Sequence, residues 1–433
     1  MIKKISIILI IFVLSSCSFD TKSGIWTEEK ISINNEENKN IKELFKKEIL
    51  NENEFNPNFK LNIKNVVYEK NQSKRNNYGA SRVISNFDNI FKYNFSKIKY
   101  FDQFEPEPIF IDKDLIFFDK KGSIIRFGSD SKIKWKVNHY NKKEKKLLPL
   151  VKIYKEEKNL LITDNLANTY LLNPSDGKLI WKNDHNATFI SQIKIDNNRF
   201  YALDADNVFT CFSLVDGQKL WQFKGEKELI YSQKQTSVII NKESVIFNNS
   251  RGEIISLDKF NGNLNWLTPT LEYGEIFQSF LVKNSDLVLD GNNIYFSNTE
   301  NSFFSLDVNL GFINWKQKIS SHLRPIIINN MIFTISSKGY FYVIEKNSGN
   351  IIRVSDIFYN LSQKKRKKIE ISGFISTKDK IYLSTSDGKI IKVNIKDGNI
   401  DLIYRISRSK ISKPYVNNSK LYIIKDNGII KIN

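Results

Sequence analysis

A turn that recurs along the chain, with a tryptophan four residues after a glycine, constrains the fold more than any other feature. The complete copies have their glycine and tryptophan at Gly177 and Trp181, Gly217 and Trp221, Gly262 and Trp266, and Gly311 and Trp315. Weaker copies keep only Gly349 or Gly398, and an earlier one keeps only Trp135. The glycines at 177, 217, 262, 311, 349 and 398 lie 40, 45, 49, 38 and 49 residues apart. A strand-rich repeat with a period in the forties indicates the blades of a β-propeller.

A second repeated element, a polar bend followed by an alternating apolar strand, precedes each of these turns. Its eight copies begin at residues 120, 165, 205, 250, 300, 337, 386 and 426. Period-two alternation of β-branched and aromatic residues predicts a half-buried strand, and the Gly or Asn of the bend suits a tight hairpin. Eight hairpins are followed by only seven strands of the tryptophan type, since the last hairpin ends at Asn433.

The missing strand has a counterpart near the N-terminus. Residues 89–95 resemble the tryptophan strands, with Phe91 or Tyr93 in the aromatic position. Pairing with the last blade would cover a sheet edge that is otherwise an aggregation liability. The sequence therefore predicts an all-β fold over residues 78–433. We expect an eight-bladed β-propeller of four-stranded antiparallel blades, closed by an N-terminal strand, in which the glycines and tryptophans serve packing.

The N-terminal residues have the layout of an export signal. Two lysines precede the apolar run from Ile5 to Leu14, which is too short to span a bilayer. The run ends in Leu-Ser-Ser-Cys, which resembles the bacterial lipobox, where cleavage before the cysteine is followed by its acylation. We therefore expect residues 1–16 to be a lipoprotein signal peptide and Cys17 to carry lipid. Ser18 favours the outer membrane, by resemblance to the enterobacterial sorting rule.

Residues 17–77 are rich in Asn, Glu and Lys and poor in apolar residues, which predicts a flexible tether after the lipidated cysteine. Within it, the apolar residues between Asn40 and Asn51 fall near one face of a helix and predict a short helix there. With Cys17 acylated, the remaining Cys211 forms no disulfide, and we expect it to be a small buried hydrophobe. The three histidines have no ligand spacing, so we expect no metal site.

The formal net charge of +19 suits nucleic acid or an anionic surface as a partner. The export signal argues against nucleic acid. We interpret the charge first as solvation and second as attraction to anionic lipid or an acidic protein. The basic run Lys364–Lys368 is expected in a loop between the sixth and seventh blades, with the same two alternatives.

The Asp-Gly turn followed by tryptophan resembles the repeat of pyrroloquinoline-quinone propellers, which two families share. One comprises the quinoprotein dehydrogenases; the other is the BamB family, the propeller lipoproteins of the outer-membrane β-barrel assembly machinery. The lipobox, chain length and blade count favour the second. This resemblance implies a non-catalytic scaffold without cofactor, on the periplasmic face of the outer membrane. It implies binding to the periplasmic domain of the central barrel-assembly protein, contact with other subunits of the complex, and help in inserting β-barrel proteins.

The same resemblance implies a contact surface on the loops that enter the fourth and fifth blades. The implied contact residues are Leu229, Tyr231, Ser232, Phe280 and Lys283. The Leu-x-Leu-Arg of better-known members reads Leu-Ile-Tyr-Ser here, so the apolar places are kept and the arginine is not. The alternative interpretation is that Leu229 and Tyr231 are ordinary strand residues.

Two other functions stay open at this stage. A quinone-dependent dehydrogenase needs Ca²⁺ held by oxygen ligands and an Asp as base. The sequence has no Cys-Cys pair, and aspartates such as Asp176, Asp216 and Asp397 belong to turns. We therefore expect no catalytic residue. The third function is a lipid-anchored propeller scaffold of another role, because fold does not fix function.

Overall fold

The computed structural model describes residues 53–62, 77, 90–99, 101, 106–156, 158–226, 234–271, 283–377 and 379–432. Within these ranges it has 32 strands and two short helices. Cys17, the signal peptide and the helix predicted at 40–51 lie outside the described residues. No helix in the described part of the chain is long and apolar enough to cross a membrane.

The strands form eight four-stranded antiparallel sheets, which are the blades of a β-propeller. Strand β1 is Ile90–Asn94. Blade 1 contains β2 (Ile109–Ile111), β3 (Asp114–Phe118), β4 (Ile124–Phe127) and β5 (Ile133–Val137). Blade 2 contains β6 (Val151–Glu156), β7 (Asn159–Asp164), β8 (Asn168–Leu172) and β9 (Leu179–Asp184). Blade 3 contains β10 (Lys194–Asp196), β11 (Arg199–Leu203), β12 (Val208–Ser213) and β13 (Lys219–Lys224).

The later blades repeat this layout. Blade 4 contains β14 (Val238–Ile240), β15 (Ser244–Asn248), β16 (Glu253–Asp258) and β17 (Leu264–Pro269). Blade 5 contains β18 (Val288–Asp290), β19 (Asn293–Asn298), β20 (Ser302–Asp307) and β21 (Ile313–Gln317). Blade 6 contains β22 (Ile326–Ile328), β23 (Met331–Ile335), β24 (Tyr340–Glu345) and β25 (Ile351–Asp356). Blade 7 contains β26 (Ile371–Ser376), β27 (Lys380–Thr385), β28 (Lys389–Asn394) and β29 (Ile400–Arg405).

Blade 8 combines the two ends of the described chain. It contains β30 (Tyr415–Asn417), β31 (Lys420–Lys425), β32 (Gly428–Ile432) and β1. Strand β1 pairs antiparallel with β32, from Ile90 opposite Ile432 to Asn94 opposite Gly428. The predicted closing strand is confirmed. The two helices are α1 (Lys142–Lys146), between blades 1 and 2, and α2 (Gln363–Arg366), between blades 6 and 7.

Burial follows the position of a strand within its blade. The first strand is innermost, as contacts between the first strands β2 and β6, and between β10 and β14, indicate. The second strand is covered on both sides by adjacent blades, and all five residues of β3 are buried. The fourth strand is outermost and half exposed, as in β5. Cys211 is buried in β12, as predicted for a small hydrophobe.

Each tryptophan of an outermost strand packs on the glycine turn of the next blade. The Trp266 indole Nε1–H donates to the Val308 carbonyl at 3.1 Å. Gly311 has φ 74°, and a Cβ there would lie 2.5 Å from the same indole, so both backbone and packing require glycine. Equivalent hydrogen bonds join Trp135 to Pro174, Trp181 to Leu214, Trp221 to Lys259 and Trp315 to Lys346. The predicted packing role of these residues is confirmed.

The junction between blades 8 and 1 uses a tyrosine instead. Tyr93 is 1% exposed and packs edge-on against Phe127 of blade 1, with ring centroids 5.7 Å apart. Phe91, the other residue proposed for the aromatic position, is 44% exposed. The two residues are two positions apart and so share a face of β1, but Tyr93 is the one that Phe127 of blade 1 covers. Tyr93 therefore takes the aromatic position.

Residues 53–62, here called the docked segment, pack at the junction of blades 6 and 7. Phe55 and Val354 exchange backbone hydrogen bonds at 3.1 and 2.9 Å. Leu61 is buried in the core of these blades, and its N–H donates to the Lys396 carbonyl at 2.8 Å. The docked segment belongs to the stretch predicted to be a tether, and over these residues the stretch is in contact with the propeller.

Candidate partner-binding face and axial charge cluster

The two loops predicted to bind a partner connect blade 3 to blade 4 and blade 4 to blade 5. Each runs from the outermost strand of one blade to the innermost strand of the next. All such connections lie on one side of the ring, which we call the linker face. Among the predicted contact residues, Leu229, Tyr231, Ser232 and Phe280 lie outside the described residues, and Lys283 lies within them.

Lys234 joins the C-terminal ends of the two loops. Its Nζ donates to the carbonyl oxygens of Asn284, at 3.0 Å, and His322, at 2.6 Å. It also lies 3.8 Å from the Asp286 carboxylate. Lys283, which precedes Asn284, donates its backbone N–H to Thr299 Oγ1 at 3.0 Å. Lys234 and Lys283 therefore place both loop ends side by side on the linker face.

The N-terminal ends of the two loops are held by the hairpin between β15 and β16. Arg251 in this hairpin forms an ion pair with Glu226, which precedes the first loop. The Thr270 N–H, just before the second loop, donates to the Gly252 carbonyl at 3.0 Å. One hairpin of blade 4 thus fixes the starting points of both loops.

The region around the loop ends is positively charged. Burial, together with the nearby cations Lys234, Lys283 and Lys410, lowers the pKa of His322 to about 3. The imidazole is therefore neutral at pH 7, and the positive charge resides on the lysines. Such a region favours an acidic partner and accelerates its association.

A second group of charged residues lies on the propeller axis. Its six members come from the innermost strands of six blades, or from the residues just before them: Glu107, Lys152, Lys194, Asp286, Arg324 and Lys413. We call it the axial cluster. Sequence reasoning missed it, because its members are far apart in the chain and come together only in the closed ring. The available signal was a charged residue repeatedly placed at the start of a blade.

The carboxylates of the axial cluster are paired. Arg324 Nε donates to Asp286 Oδ2 at 2.6 Å, and Lys413 Nζ lies 2.5 Å from Glu107 Oε1. Burial raises the pKa of Asp286, but Arg324 and Lys234 outweigh it and hold that pKa far below its ordinary value. The pKa of Glu107 is likewise lowered, since Lys413 and Arg324 outweigh its burial. Both carboxylates are therefore charged at neutral pH.

Two lysines of the axial cluster have lowered pKa values. Burial lowers the pKa of Lys152 to about 8, and burial with the nearby Arg324 lowers that of Lys194 to about 7. Lys194 Nζ donates at 2.6 Å to the side-chain oxygen of Asn77. The Asn77 amide donates in turn to the Leu287 carbonyl at 2.9 Å and to Ser237 Oγ at 3.0 Å. Asn77 thus links the innermost parts of blades 3, 4 and 5.

The axial cluster does not fit the calcium ion that a quinone cofactor needs. Calcium takes six to eight oxygen ligands, mostly from carboxylates and carbonyls. Here Glu107 and Asp286 face cations, and Lys194 occupies the side-chain oxygen of Asn77. Across the described ranges, no group of three His, Cys, Asp or Glu residues is arranged to hold a metal.

The predicted basic run begins in α2 and lies between blades 6 and 7, as expected. Arg366 forms two hydrogen bonds with the Asp356 carboxylate, at 2.9 and 2.5 Å. The four lysines at 364, 365, 367 and 368 are exposed. Like the two partner loops, this run lies on the linker face.

Comparisons with known proteins identify related sequences and folds. The sequence profile of a family described as outer membrane protein assembly factor BamB matches residues 120–355. No curated protein sequence matches significantly. Among solved structures, BamB from Moraxella catarrhalis superposes with a TM-score of 0.62 and 13% identity, over 79% of this chain and 100% of that chain.

Two further solved structures share the fold. The computationally designed Ika8 protein has a TM-score of 0.58 and 10% identity, over 78% of this chain and 99% of that one. A quinohemoprotein alcohol dehydrogenase from Comamonas testosteroni has a TM-score of 0.59 and 9% identity, over 82% of this chain and 78% of that one. At these identities the similarity shows a common fold.

Proposed function

The chain belongs to the family described as outer membrane protein assembly factor BamB, and we propose that it is a non-catalytic scaffold lipoprotein of the outer-membrane β-barrel assembly machinery. In this proposal, lipid on Cys17 holds the propeller at the periplasmic face of the outer membrane. The propeller binds the periplasmic domain of the central assembly protein and helps β-barrel proteins to insert. The observation that carries the proposal is the family match over residues 120–355, from blade 1 to blade 6.

The proposed partner surface consists of the two loops that end at Lys234 and Lys283. A lasting interface needs apolar anchors within a polar rim, because charge increases the association rate more than the affinity. Leu229, Tyr231 and Phe280 are the anchors in this proposal, and Ser232 and Lys283 belong to the rim. The contacts of Lys234 with Asn284 and His322 support the proposal, since adjacent loop ends let one small domain touch both loops.

A role without catalysis is supported by the axial cluster. Glu107 and Asp286 are engaged by Lys413 and Arg324, so neither is a free general base or a ready calcium ligand. We expect purified protein incubated with Ca²⁺ and the quinone to show no cofactor absorption and no reduction of an electron-accepting dye. Dye reduction that depends on both additions would replace the scaffold proposal with a dehydrogenase.

The experiment that tests the scaffold role is capture from membranes. The full chain with a C-terminal tag is expressed in its own cells, extracted from outer membranes with mild detergent, and its partners are identified by mass spectrometry. We expect the central assembly protein among the partners, at a constant ratio to the bait. Recovery of a different stable partner, without the assembly protein, would favour a scaffold of another role.

A further inference from the structure

The loop between β25 and β26 presents an aromatic residue and a group of lysines to solvent. Tyr359 is 65% exposed. It is followed by the exposed side chains of Lys364, Lys365, Lys367 and Lys368. We call Tyr359 and these four lysines the basic patch. Among the described residues none of the four lysines has an ion pair, and the remaining cation of the run is engaged elsewhere.

Arg366 fixes the basic patch to blade 6. Its guanidinium holds the Asp356 carboxylate, donates from Nε to the Lys338 carbonyl at 2.6 Å, and lies 4.5 Å from the centre of the Tyr340 ring. α2 is thereby held on the linker face while its lysines point outward. The contacts of Arg366 thus fix the position of α2 against blade 6, and with it the position of the lysines that α2 carries.

The docked segment reaches the propeller next to the basic patch. The Asp356 N–H donates to Glu54 Oε1 at 3.2 Å, while the Asp356 carboxylate holds Arg366. One residue therefore contacts both the docked segment and α2. In the chain, the docked segment begins 36 residues after Cys17, at residue 53. Among the residues that the structure describes, those that follow Cys17 most closely in the sequence therefore lie beside the basic patch.

We propose that the basic patch docks on a membrane surface of anionic phospholipids. The proposal deepens the scaffold role and rests on it for the lipid anchor at Cys17. Each lysine near an anionic membrane strengthens binding about fivefold, and tyrosine is favoured at the depth of the headgroups. The patch combines four exposed lysines with one exposed tyrosine, next to the docked segment. This docking orients the propeller, with blades 6 and 7 toward the lipid.

α1 provides a matched control on the same face. It also carries four lysines, at positions 142, 143, 145 and 146. Between them stands Glu144, which caps the helix with Asn141 and lies 3.3 Å from Lys182. Tyr140, the tyrosine next to α1, is only 4% exposed. The docked segment lies at the junction of blades 6 and 7 and not beside α1. Neutralising the four lysines of α1 or the four lysines of the basic patch changes the net charge of the protein equally.

The test is co-sedimentation with vesicles of phosphatidylglycerol and phosphatidylethanolamine. The protein starts at residue 18 and contains every described residue, so neither signal nor attached lipid contributes. We expect the change of Lys364, Lys365, Lys367 and Lys368 to Gln to weaken binding by about tenfold or more. The same change at the four α1 lysines should have a smaller effect, and Tyr359→Ser should reduce the binding that survives high salt. Melting curves check that each variant is folded.

Two results would overturn this proposal. One is an equal loss of vesicle binding in the α1 variant, which would indicate net charge alone. The other is unchanged vesicle binding of the basic-patch variant; if this variant also loses capture of the assembly protein, the occupant of the patch is an acidic protein. Because the tested protein lacks the lipid, the result is independent of whether Cys17 is acylated. Failure of the patch and failure of the anchor are therefore separable.

Discussion

The guanidinium of Arg353 donates a hydrogen bond to the carbonyl oxygen of Ile395, 2.7 Å away, across the junction of blades 6 and 7. At the preceding junction the indole of Trp315 makes the equivalent bond to Lys346 at 3.2 Å. Burial lowers the pKa of Arg353 to about 10, so it remains charged at neutral pH. Its guanidinium also reaches the carbonyls of Lys396 and Phe59, the latter in the docked segment. An arginine thus takes the place of the tryptophan, and the docked segment completes its hydrogen bonding.

Arg353→Met is expected to destabilise the propeller by about 3 kcal/mol, because it leaves buried carbonyl oxygens without donors. The matched change Trp315→Phe removes one donor at the preceding junction and should cost about 1 to 2 kcal/mol. Urea denaturation of both variants measures the difference. Equal losses would show that the arginine acts only as a space-filling side chain.

Closure of the ring depends on Tyr93. Tyr93→Ala should lower the free energy of unfolding by about 3 kcal/mol or more, since it empties a buried aromatic site between blades 8 and 1. Phe91→Ala, at an exposed position two residues earlier in the same strand, should cost less than about 1 kcal/mol. Thermal and urea unfolding compare the two variants. A larger loss in the Phe91 variant would contradict the observed placement of these side chains.

Much of this fold could be predicted from local sequence patterns. The glycine turns and alternating strands predicted eight blades and the closing strand, because each uses a backbone requirement that repeats at nearly constant spacing. The choice between Phe91 and Tyr93 was open, since both are aromatic and only the facing blade decides between them. The docking of residues 53–62 was not predicted, because this stretch has no apolar period and adds just one strongly buried side chain, Leu61.

The candidate site was less accessible to sequence reasoning. Lys194 and Arg324 come together on the axis only when the ring of eight blades is closed. Their recurrence at the start of blades was visible in the sequence, but their contact was not. The partner loops were inferred from a resemblance, and the structure adds the meeting of their ends through Lys234. The copy of the turn at Gly349 was noted to lack its tryptophan, but the role of Arg353 in that place was not predicted. Its guanidinium donates to backbone carbonyls, which are present whatever the sequence.

Stability should depend on pH through Lys194. Its pKa is about 7 in the folded protein and about 10.4 in an unfolded chain. Between these values the unfolded chain binds the additional proton. Raising the pH therefore stabilises the fold, by at most about 1.4 kcal/mol per pH unit. This stability is lost as the pH falls from about 10 to about 7.

The variant Lys194→Met isolates this contribution. It has no proton to lose, so we expect the stability of the parent relative to the variant to increase as the pH rises through that window. Urea denaturation at several pH values measures both proteins side by side. A difference that stays constant with pH would mean that Lys194 keeps its ordinary protonation in the fold.

Acylation of Cys17 has a direct test in cells. Cys17→Ser should leave the chain unlabelled by radioactive palmitate, with the signal uncleaved or the protein released in soluble form. The parent should be labelled and recovered with outer membranes. A mature serine variant that still fractionates with outer membranes would contradict a lipid anchor at this position.

The central claim is that the linker face binds the central assembly protein. The direct measurement is a titration of the purified chain with the purified periplasmic domain of that protein from the same cells. We predict saturable binding, weakened by about 2 kcal/mol or more in Leu229→Ala with Tyr231→Ala. Lys283→Glu should change mainly the association rate and its salt dependence.

The matched control for this titration lies on the opposite side of the ring. Leu310 and Phe312 are exposed, at 63% and 69%, in the connection between β20 and β21. Changing both to Ala removes comparable apolar surface there and should leave the affinity unchanged. Binding that is lost with Leu229 and Tyr231 but kept with this control is the predicted result. No binding by the folded parent chain, or equal loss in both double variants, would contradict the account.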